Sequence, residues 1–459
     1  MNTITGVISD MPELFGTDGI RNAVNEYPMT AEMVLSIGKG IGRFFAGSGP
    51  SPIVIGKDTR LSGDLFEHAL AAGVSASGTD VLLLGVIPTP GVAHAVRLLQ
   101  AKAGIVISAS HNPWTDNGIK VFDPAGFKLS RSAEQVLEQV ILGAETSQKY
   151  PTSSQSGRIR FHHDTCANYR DFLIRTASDD QFSLKGVRMV VDCANGATAL
   201  VAPDVFRRHG ASVAVLSASP DGRNINEGCG SEQPAAMAAS VQKTGAAVGF
   251  AFDGDGDRVV ICDETGAVLT GDQVVAICAR HFKNSGRLQK NVVVTTVMSN
   301  MGLRSALKKM DIRHVAAGVG DRHVVEAMKN AGAVLGGEDS GHIVFLDRHS
   351  TGDGILSAIE ILNIMTSENR PLSELKQIMT IFPQVMINVR VKTKPAIESL
   401  SGVNQMIQSI ESRLGRDGRV LVRYSGTQPM CRVMVEGPTL SQVQLFCQTI
   451  ADAVRSAIG

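Results

Sequence analysis

The sequence is poor in aromatic residues and carries no net charge. Of its 459 residues one is Trp and four are Tyr, and Lys plus Arg equals Asp plus Glu at 44 each. Without a positive field the chain offers nucleic acid or an anionic membrane no general attraction, so an anionic ligand must be held by local clusters of donors. The seven cysteines, at positions 166, 193, 229, 262, 278, 431 and 447, form no CxxC pair and are odd in number. That pattern argues against a disulfide frame or a zinc site and fits reduced thiols in a cytoplasmic protein. The amino-terminal MNTITGVISDMPE lacks the basic and apolar regions of a signal peptide. No apolar run reaches the ~18 residues needed to span a bilayer. A Walker A lysine loop and a Gly-x-Ser-x-Gly elbow are also missing. The run GKGIG at 38–42 lies inside a helical pattern with the wrong spacing for dinucleotide binding. What is plentiful is glycine, 47 residues, which suits ligands held close to main-chain amides.

A chain of 459 residues is too long for one core, and about three or four domains are expected. The pattern divides it at 1–155, 156–257, 258–370 and 371–459. The first segment alternates predicted strands (52–56, 81–84, 104–108) with helices (30–45, 63–77, 91–99), which predicts a largely parallel α/β layer. A Ser-, Thr- and Gln-rich stretch near 145–160 reads as a linker. Strands at 187–192, 212–216 and 248–252 with a helix at 198–208 form a second α/β unit. A third has a strand at 292–296, a helix near 302–309, and a helix after the turn at 318–321. From about 372 the pattern changes to strands at 385–391, 419–424 and 431–436 with helices at 395–414 and 441–458, a smaller α+β domain with antiparallel pairing.

Four constellations carry chemistry. The predicted strand at 104–108 ends in a loop holding Ser110, His111 and Asn112, closed by Pro113, with Lys120 ten residues after Ser110. A hydroxyl, an imidazole and an amine at the carboxyl end of a strand suit nucleophilic or phosphoryl chemistry, although a serine there is also an ordinary turn residue. Asp253, Asp255 and Asp257 alternate with glycines, so three carboxylates can converge on one hard cation such as Mg²⁺. Glu264 falls at the twelfth place of a calcium loop, but Arg258 stands where that loop needs Gly, and the flanks are strand-like. The loop from Arg423 through Ser425, Gly426 and Thr427, with Arg432 beyond, offers amides, hydroxyls and two guanidiniums to a phosphate dianion. A plain hairpin with surface arginines is the competing reading. In GGEDSGH, Glu338 and Ser340 can pair with sugar hydroxyls, and His342 is a proton shuttle or a structural histidine.

Taken in order, LFGTDGIR, IGKDTRLSG, GIVISASHNPWTDNGIK, VVDCANGA, FDGDGDR, SNMGL, GGEDSGH and STGDG resemble the α-D-phosphohexomutase family over nearly the whole chain. The resemblance implies three related α/β domains with mixed, largely parallel sheets and a smaller α+β C-terminal domain around a central cleft. It implies a phosphoserine at Ser110, and Mg²⁺ held by Ser110, Asp253, Asp255 and Asp257. Lys120, Arg21 and His342 would handle protons and charge, with His111 orienting the serine loop. Arg258 would contact the reacting phosphate, Glu338 and Ser340 the sugar, and Arg423, Ser425, Gly426, Thr427 and Arg432 the phosphate at rest. The implied reaction interconverts the 6- and 1-phosphates of glucosamine through a 1,6-bisphosphate of glucosamine or glucose, feeding amino-sugar and cell-wall precursor synthesis. Its partners would be small phosphosugars, with no nucleic acid and no membrane, and the chain a monomer or homodimer. Mannose or glucose phosphates are the alternative substrates, and a non-catalytic phosphosugar-binding protein the alternative class. Asn22, Asp339, Gln428 and His323 depart from the family's usual residues and bear on sugar preference. An inward-facing Asp339 would favour the ammonium of an aminosugar.

Overall fold

The computed structural model describes residues 14–16, 18–47, 49, 51–143, 152, 155–177, 182–425 and 429–459. Most of the expected linker and residues 426–428 of the expected phosphate loop lie outside the described residues. No described helix is long and apolar enough to cross a membrane. The chain forms two compact units. One runs up to Val297 and adds Val315–Lys376; the other comprises Met298–His314 and Gln377–Gly459.

The larger unit contains three sheets. The first has six strands, β1 (Ile20–Ala23), β2 (Ile53–Lys57), β3 (Val81–Val86), β4 (Ala103–Ile107), β5 (Asp116–Phe122) and β6 (Ile159–Phe161), in the order β1-β5-β4-β2-β3-β6. The pairs β4–β2, β2–β3 and β3–β6 are parallel, while β5 runs antiparallel to both β1 and β4. Ile53, Ile55, Ile105 and Ile119 lie in one core with residues of the helices Ala31–Phe44, Gly63–Ala76 and Arg131–Leu142. Thr30 caps the first of these helices by accepting from the Met33 amide, as its sequence position predicts. The glycines that mimic a dinucleotide run serve packing instead. A Cβ on Gly38 would lie 2.5 Å from the Leu70 carbonyl oxygen, and one on Gly73 2.3 Å from that of Leu35, so the two helices cross at backbone contact.

Two strands escape the sequence reading here. β5 contains Asn117-Gly118, which reads as a turn, yet its residues from Asn117 on are buried. β1, which the sequence reading does not include among its strands, is a short edge strand that presents Arg21.

The second sheet comprises β7 (Arg188–Asp192), β8 (Ser212–Leu216), β9 (Val248–Phe252), β10 (Val259–Asp263) and β11 (Val268–Leu269), in the order β11-β10-β9-β7-β8. β7 pairs parallel with β8 and β9, whereas β10 is antiparallel to β9 and β11. The expected boundary after Asp257 therefore falls inside one sheet: the loop 253–258 is a hairpin connection, and the sheet continues to Leu269. The helix expected at 198–208 divides into a 3₁₀ turn, Ala197–Leu200, and the helix Ala202–Arg208, with Pro203 at its start.

The third sheet holds β12 (Val292–Thr296), β13 (Arg313–Ala317), β14 (Leu335–Gly337) and β15 (Ile343–Phe345), in the order β13-β12-β14-β15. β14 pairs parallel with β12 and antiparallel with β15, so residues 338–342 form the tight turn between two buried strands. In the smaller unit β16 (Gln384–Arg390), β17 (Arg419–Tyr424) and β18 (Met430–Glu436) form an all-antiparallel sheet in the order β16-β18-β17. Val389, Val433 and Val435 share a core with residues of the helices Ser401–Leu414 and Leu440–Ile458. The helix Met301–Lys309, expected to belong with the third sheet, groups with this unit, and the unit resumes at Gln377 rather than near 371.

Candidate active site

The loop after β4 is held from beneath by one buried arginine. Arg60 donates through Nη2 to the carbonyls of Ser110 (3.0 Å) and Asn112 (2.8 Å), and through Nη1 to those of Asp116 (3.0 Å) and Pro113. Its Nε donates to Asp58 Oδ2 at 2.9 Å, and both charges are fully buried. Asp58 also accepts from Ser108 Oγ at 2.6 Å, and that same oxygen accepts from the Ser110 amide at 2.9 Å. Asn226, from the second domain, donates to the Ser110 and Asn112 carbonyls at 2.9 and 3.1 Å. This network holds Ser110 at φ 53°, the left-handed region in which a non-glycine residue is strained. The result is a buried Ser110 whose Oγ donates to Asp253 Oδ2 at 2.5 Å and lies 3.3 Å from His111 Nδ1. Burial and the Arg258 guanidinium push the His111 imidazole below its ordinary pKa. Asp58, Arg60 and Asn226 were not expected as site residues. An Asp and an Arg two apart directly after a strand were visible, but no spacing rule links them to a loop fifty residues on.

The carboxylate cluster sits at the end of β9. Asp253, Asp255 and Asp257 are buried and each brings an oxygen within 4.8 Å of the others. Gly254 makes the approach possible, since a Cβ there would stand 2.8 Å from the Ser110 carbonyl oxygen. The three carboxyls are electrostatically unlike. Burial, with Asp257 and Asp255 beside it, holds Asp253 far above the usual carboxylate range. Burial raises Asp255 as well, but the Lys120 ammonium and the Thr89 hydroxyl outweigh it and leave the group lowered. For Asp257, Lys120 and then His342 overcome burial in the same direction. Lys120 comes from β5, is 1% exposed, and donates to Asp255 Oδ2 at 2.8 Å and Asp257 Oδ2 at 3.3 Å. Thr89 Oγ1 donates to Asp255 Oδ2 at 2.7 Å.

Asp255 Oδ1 and Asp257 Oδ1 are buried with no hydrogen-bond partner. Orphaned carboxylate oxygens beside a third carboxyl and a serine hydroxyl fit a hard divalent cation. A calcium loop is excluded, because Glu264 is engaged elsewhere, accepting from the Ser373 hydroxyl.

Facing this cluster is the turn between β14 and β15. Asp18, Lys128, Asp257, Arg258, Glu338 and His342 are among the residues lining a cavity of about 260 Å³. Ser340 lines it too. His342 is 2% exposed, and neither ring nitrogen has a hydrogen-bond partner. Glu338 Oε1 accepts from the Gly320 amide at 3.0 Å. The Arg258 amide donates to Asp253 Oδ1 at 3.1 Å, and Arg21 pairs with Asp18. Asp339 does not face the cavity. It is exposed, and its Oδ1 accepts from the Asp272 amide at 3.2 Å, capping the helix Gly271–Asn284. His323 is exposed, and Asn22 bonds within its own turn to the Tyr27 carbonyl.

Of the remaining expected residues, Arg423 and Arg432 are direct cross-strand partners on β17 and β18. Both Nε atoms are buried without a hydrogen-bond partner, and burial together with Arg432 lowers Arg423. Two like charges are thus paired across the sheet, and no ion pair to a carboxylate is found for either among the described residues, an arrangement suited to an anion. Ser425 is buried beside them, its carbonyl accepting from Lys394 Nζ at 2.7 Å. Gly426, Thr427 and Gln428 lie outside the described residues.

Comparison with known proteins bears on the family and the fold. The phosphoglucomutase/phosphomannomutase alpha/beta/alpha domains I, II and III match residues 12–148, 167–266 and 270–382, and the C-terminal domain of the same family matches 386–453. The chain is 53% identical over 450 residues, 98% of its own length and 100% of the relative's, to a phosphoglucosamine mutase of Syntrophus aciditrophicus. It is 48% identical, at the same coverage, to a phosphoglucosamine mutase of Syntrophobacter fumaroxidans. Among solved structures, a phosphoglucomutase/phosphomannomutase family protein of Burkholderia thailandensis has the same fold at a TM-score of 0.80, 23% identity and 97% coverage of both chains. The N-acetylphosphoglucosamine mutase of Aspergillus fumigatus, solved with GlcNAc-6P and magnesium, gives a TM-score of 0.67 at 17% identity, covering 97% of this chain and 96% of its own. With four domain matches in order and near-complete coverage by relatives of about half-identical sequence, the chain belongs to the phosphoglucomutase/phosphomannomutase family.

Proposed function

We propose that the chain is a phosphoserine mutase that interconverts glucosamine 6-phosphate and glucosamine 1-phosphate. The observation that carries this reading is Ser110 Oγ, buried and 2.5 Å from Asp253 within a cluster holding two orphaned carboxylate oxygens. A hydrolytic serine would need access to water to finish the reaction, and Ser110 is fully buried. A buried serine among carboxylates is better suited to carry a phosphoryl group.

Asp253, Asp255 and Asp257, with an oxygen of phosphorylated Ser110, would hold Mg²⁺, which when bound offsets the negative charge of the transferring phosphoryl group. The chain's own residues do the rest. Lys120 and Arg21 balance the charge that remains around Ser110. The Ser110 hydroxyl donates toward Asp253, the direction in which its proton leaves when a phosphoryl group returns. His342, neither of whose ring nitrogens makes a hydrogen bond within the protein, exchanges a proton with the sugar hydroxyl that attacks. His111 orients the serine loop. Arg258 contacts the reacting phosphate, and Glu338 and Ser340 read the ring hydroxyls. Arg423, Ser425, Gly426, Thr427 and Arg432 hold a phosphate at rest. The 1,6-bisphosphate formed after the first transfer turns end for end and returns its other phosphate to Ser110. Added bisphosphate therefore acts as activator, restoring any serine that has lost its phosphate. The relatives' substrate and the seven free cysteines suit a cytoplasmic enzyme acting as monomer or homodimer.

A second reading, with mannose or glucose phosphate as substrate, gains weight from Asp339, whose carboxylate caps a helix instead of meeting an ammonium. Intact mass and a substrate panel test both. The purified chain should carry a phosphate-sized addition that Ser110→Ala abolishes, and kcat should fall by about 10³-fold or more. Turnover of glucosamine 6-phosphate should exceed that of the glucose and mannose phosphates. Full activity in Ser110→Ala would rule out the phosphoserine, and faster turnover of mannose phosphate would transfer the assignment to that sugar.

A further inference from the structure

Four charged side chains, alternating in sign, and a histidine at the end of the row connect the serine side of the site to the sugar side. Lys120 Nζ lies 3.7 Å from Asp18 Oδ2. Asp18 is bonded through Oδ1 to Lys128, and Lys128 is bonded in turn to Asp321. Asp321 Oδ2 lies 3.7 Å from His342 Nε2. Asp18 precedes β1, Lys128 follows β5, and Asp321 opens the helix Asp321–Ala331 beside the third sheet. The middle of the row is Lys128, whose side chain is 9% exposed. It is held by an antiparallel bridge between its own backbone and that of Phe122 at the end of β5. Its two carboxylates come from different domains. Without that ammonium two largely buried carboxylates would face each other: Asp18 would keep Arg21 and Lys120 beside it, while Asp321 would lose the cation bonded to it.

We infer that Lys128 is a positioning residue for phosphoryl transfer: by clamping Asp18 and Asp321 to one ammonium it sets the placement of Lys120 and His342 across the cavity. The inference rests on the function proposed above. Its physical basis is the length of the row. Lys120 is held on one side by the carboxylate cluster and His342 stands on the other at the end of its turn, and the Asp18–Lys128–Asp321 link is a row of side-chain contacts that runs between them. A shift of about 1 Å there misplaces a proton-handling group relative to the phosphoryl group, which costs up to about 10²-fold in rate.

A neighbouring link provides the control. Arg322 donates through Nη1 to Glu134 Oε2 at 2.7 Å and through Nη2 to Glu134 Oε1, joining the same two domains one residue further along. It reaches none of the reacting groups. If the Lys128 link served stability alone, the two links would be equivalent.

The test compares Lys128→Met, Lys128→Arg and Arg322→Met in the full chain, with steady-state kinetics on glucosamine 6-phosphate and urea unfolding of each. Lys128→Met is expected to lower kcat by about 30- to 100-fold with KM within about threefold of wild type. Lys128→Arg should recover at least a third of wild-type kcat. Arg322→Met should lose stability while keeping kcat within about twofold. Wild-type kcat in Lys128→Met, or equal kcat losses in Lys128→Met and Arg322→Met, overturns the inference alone. A wild-type chain that turns over no hexose phosphate overturns both the inference and the function on which it rests. Should Lys128→Met not fold, Lys128→Gln and Asp321→Asn carry the same comparison.

Discussion

At the residue scale the decisive side chain is one that does not react. Arg60 makes four hydrogen bonds to carbonyls of the 110–116 segment and one ion pair to Asp58, all from a buried position. A buried ion pair is weak evidence of net stabilisation, but removing one partner leaves an uncompensated charge at a cost of about 3–5 kcal/mol. Arg60→Met should therefore lower unfolding free energy by about that amount in urea titration. It should also reduce the phosphate carried by Ser110, read by intact mass, because Arg60 makes most of the side-chain hydrogen bonds to the loop that holds Ser110 at φ 53°. A variant that unfolds early yet remains fully phosphorylated would show that the loop keeps its shape without the arginine. Ser110, Lys120 and the three aspartates could be named from the sequence because their chemistry shows in residue type and spacing. Arg60 could not, since its function is defined by carbonyls that any residues could provide.

At the scale of elements, turns between paired strands carry the chemistry. β9 and β10 are antiparallel neighbours, so the 253–258 loop that joins them must double back, and its glycines let three carboxylates crowd one point. The 338–342 turn joins β14 and β15 in the same manner. Its second residue was expected to bear on sugar choice, and the helix beside it shows why it need not. The helix Gly271–Asn284 already has a capping box between Thr270 and Gln273, and Asp339 accepts in addition from the first-turn amide of Asp272. Asp339→Ala should accordingly cost about 1 kcal/mol of stability. It should leave the ratio of turnover between glucosamine and glucose phosphates within about twofold of wild type. A large change in that ratio would place the carboxylate back among the sugar contacts.

At the scale of the whole molecule, buried histidines set the acid limit. His349 packs edge-on against Phe172 and is pushed by burial to about 3; His94 stacks on Phe172 and is pushed, again mainly by burial, to about 4. In the unfolded chain both titrate near 6.5. The folded chain thus binds fewer protons, so this stability is fully present above about pH 6.5 and is lost as pH falls toward 4 and then 3. Asp353 has the opposite sign. Burial raises it to about 6 from 3.8, so the folded form takes up a proton first and gains stability as pH falls through that window. These two histidines and this aspartate together contribute a net loss of about 1.4 kcal/mol per pH unit between pH 6 and 4, and His314, which burial pushes to about 4, acts in the same direction as the histidines. Urea midpoints measured across that range should fall with pH, and a flat or rising profile would contradict the burial of these histidines.

The sequence by itself determined the α/β alternation, the small antiparallel domain at the end, the metal-capable aspartates and the serine beside Lys120. These are properties of local periodicity and residue type, and they survive without knowledge of neighbours. It did not determine that β10 and β11 extend the second sheet, that β5 is a buried strand despite its Asn-Gly, or that the helix Met301–Lys309 groups with the C-terminal unit. Nor did it determine which charged residues serve the site without reacting. Asp58, Arg60, Asn226, Asp18, Lys128 and Asp321 gain their roles from partners 50 to 193 positions away. Only tertiary structure decided these points, because pairing between strands and between buried charges depends on distance in space, which separation along the chain does not encode.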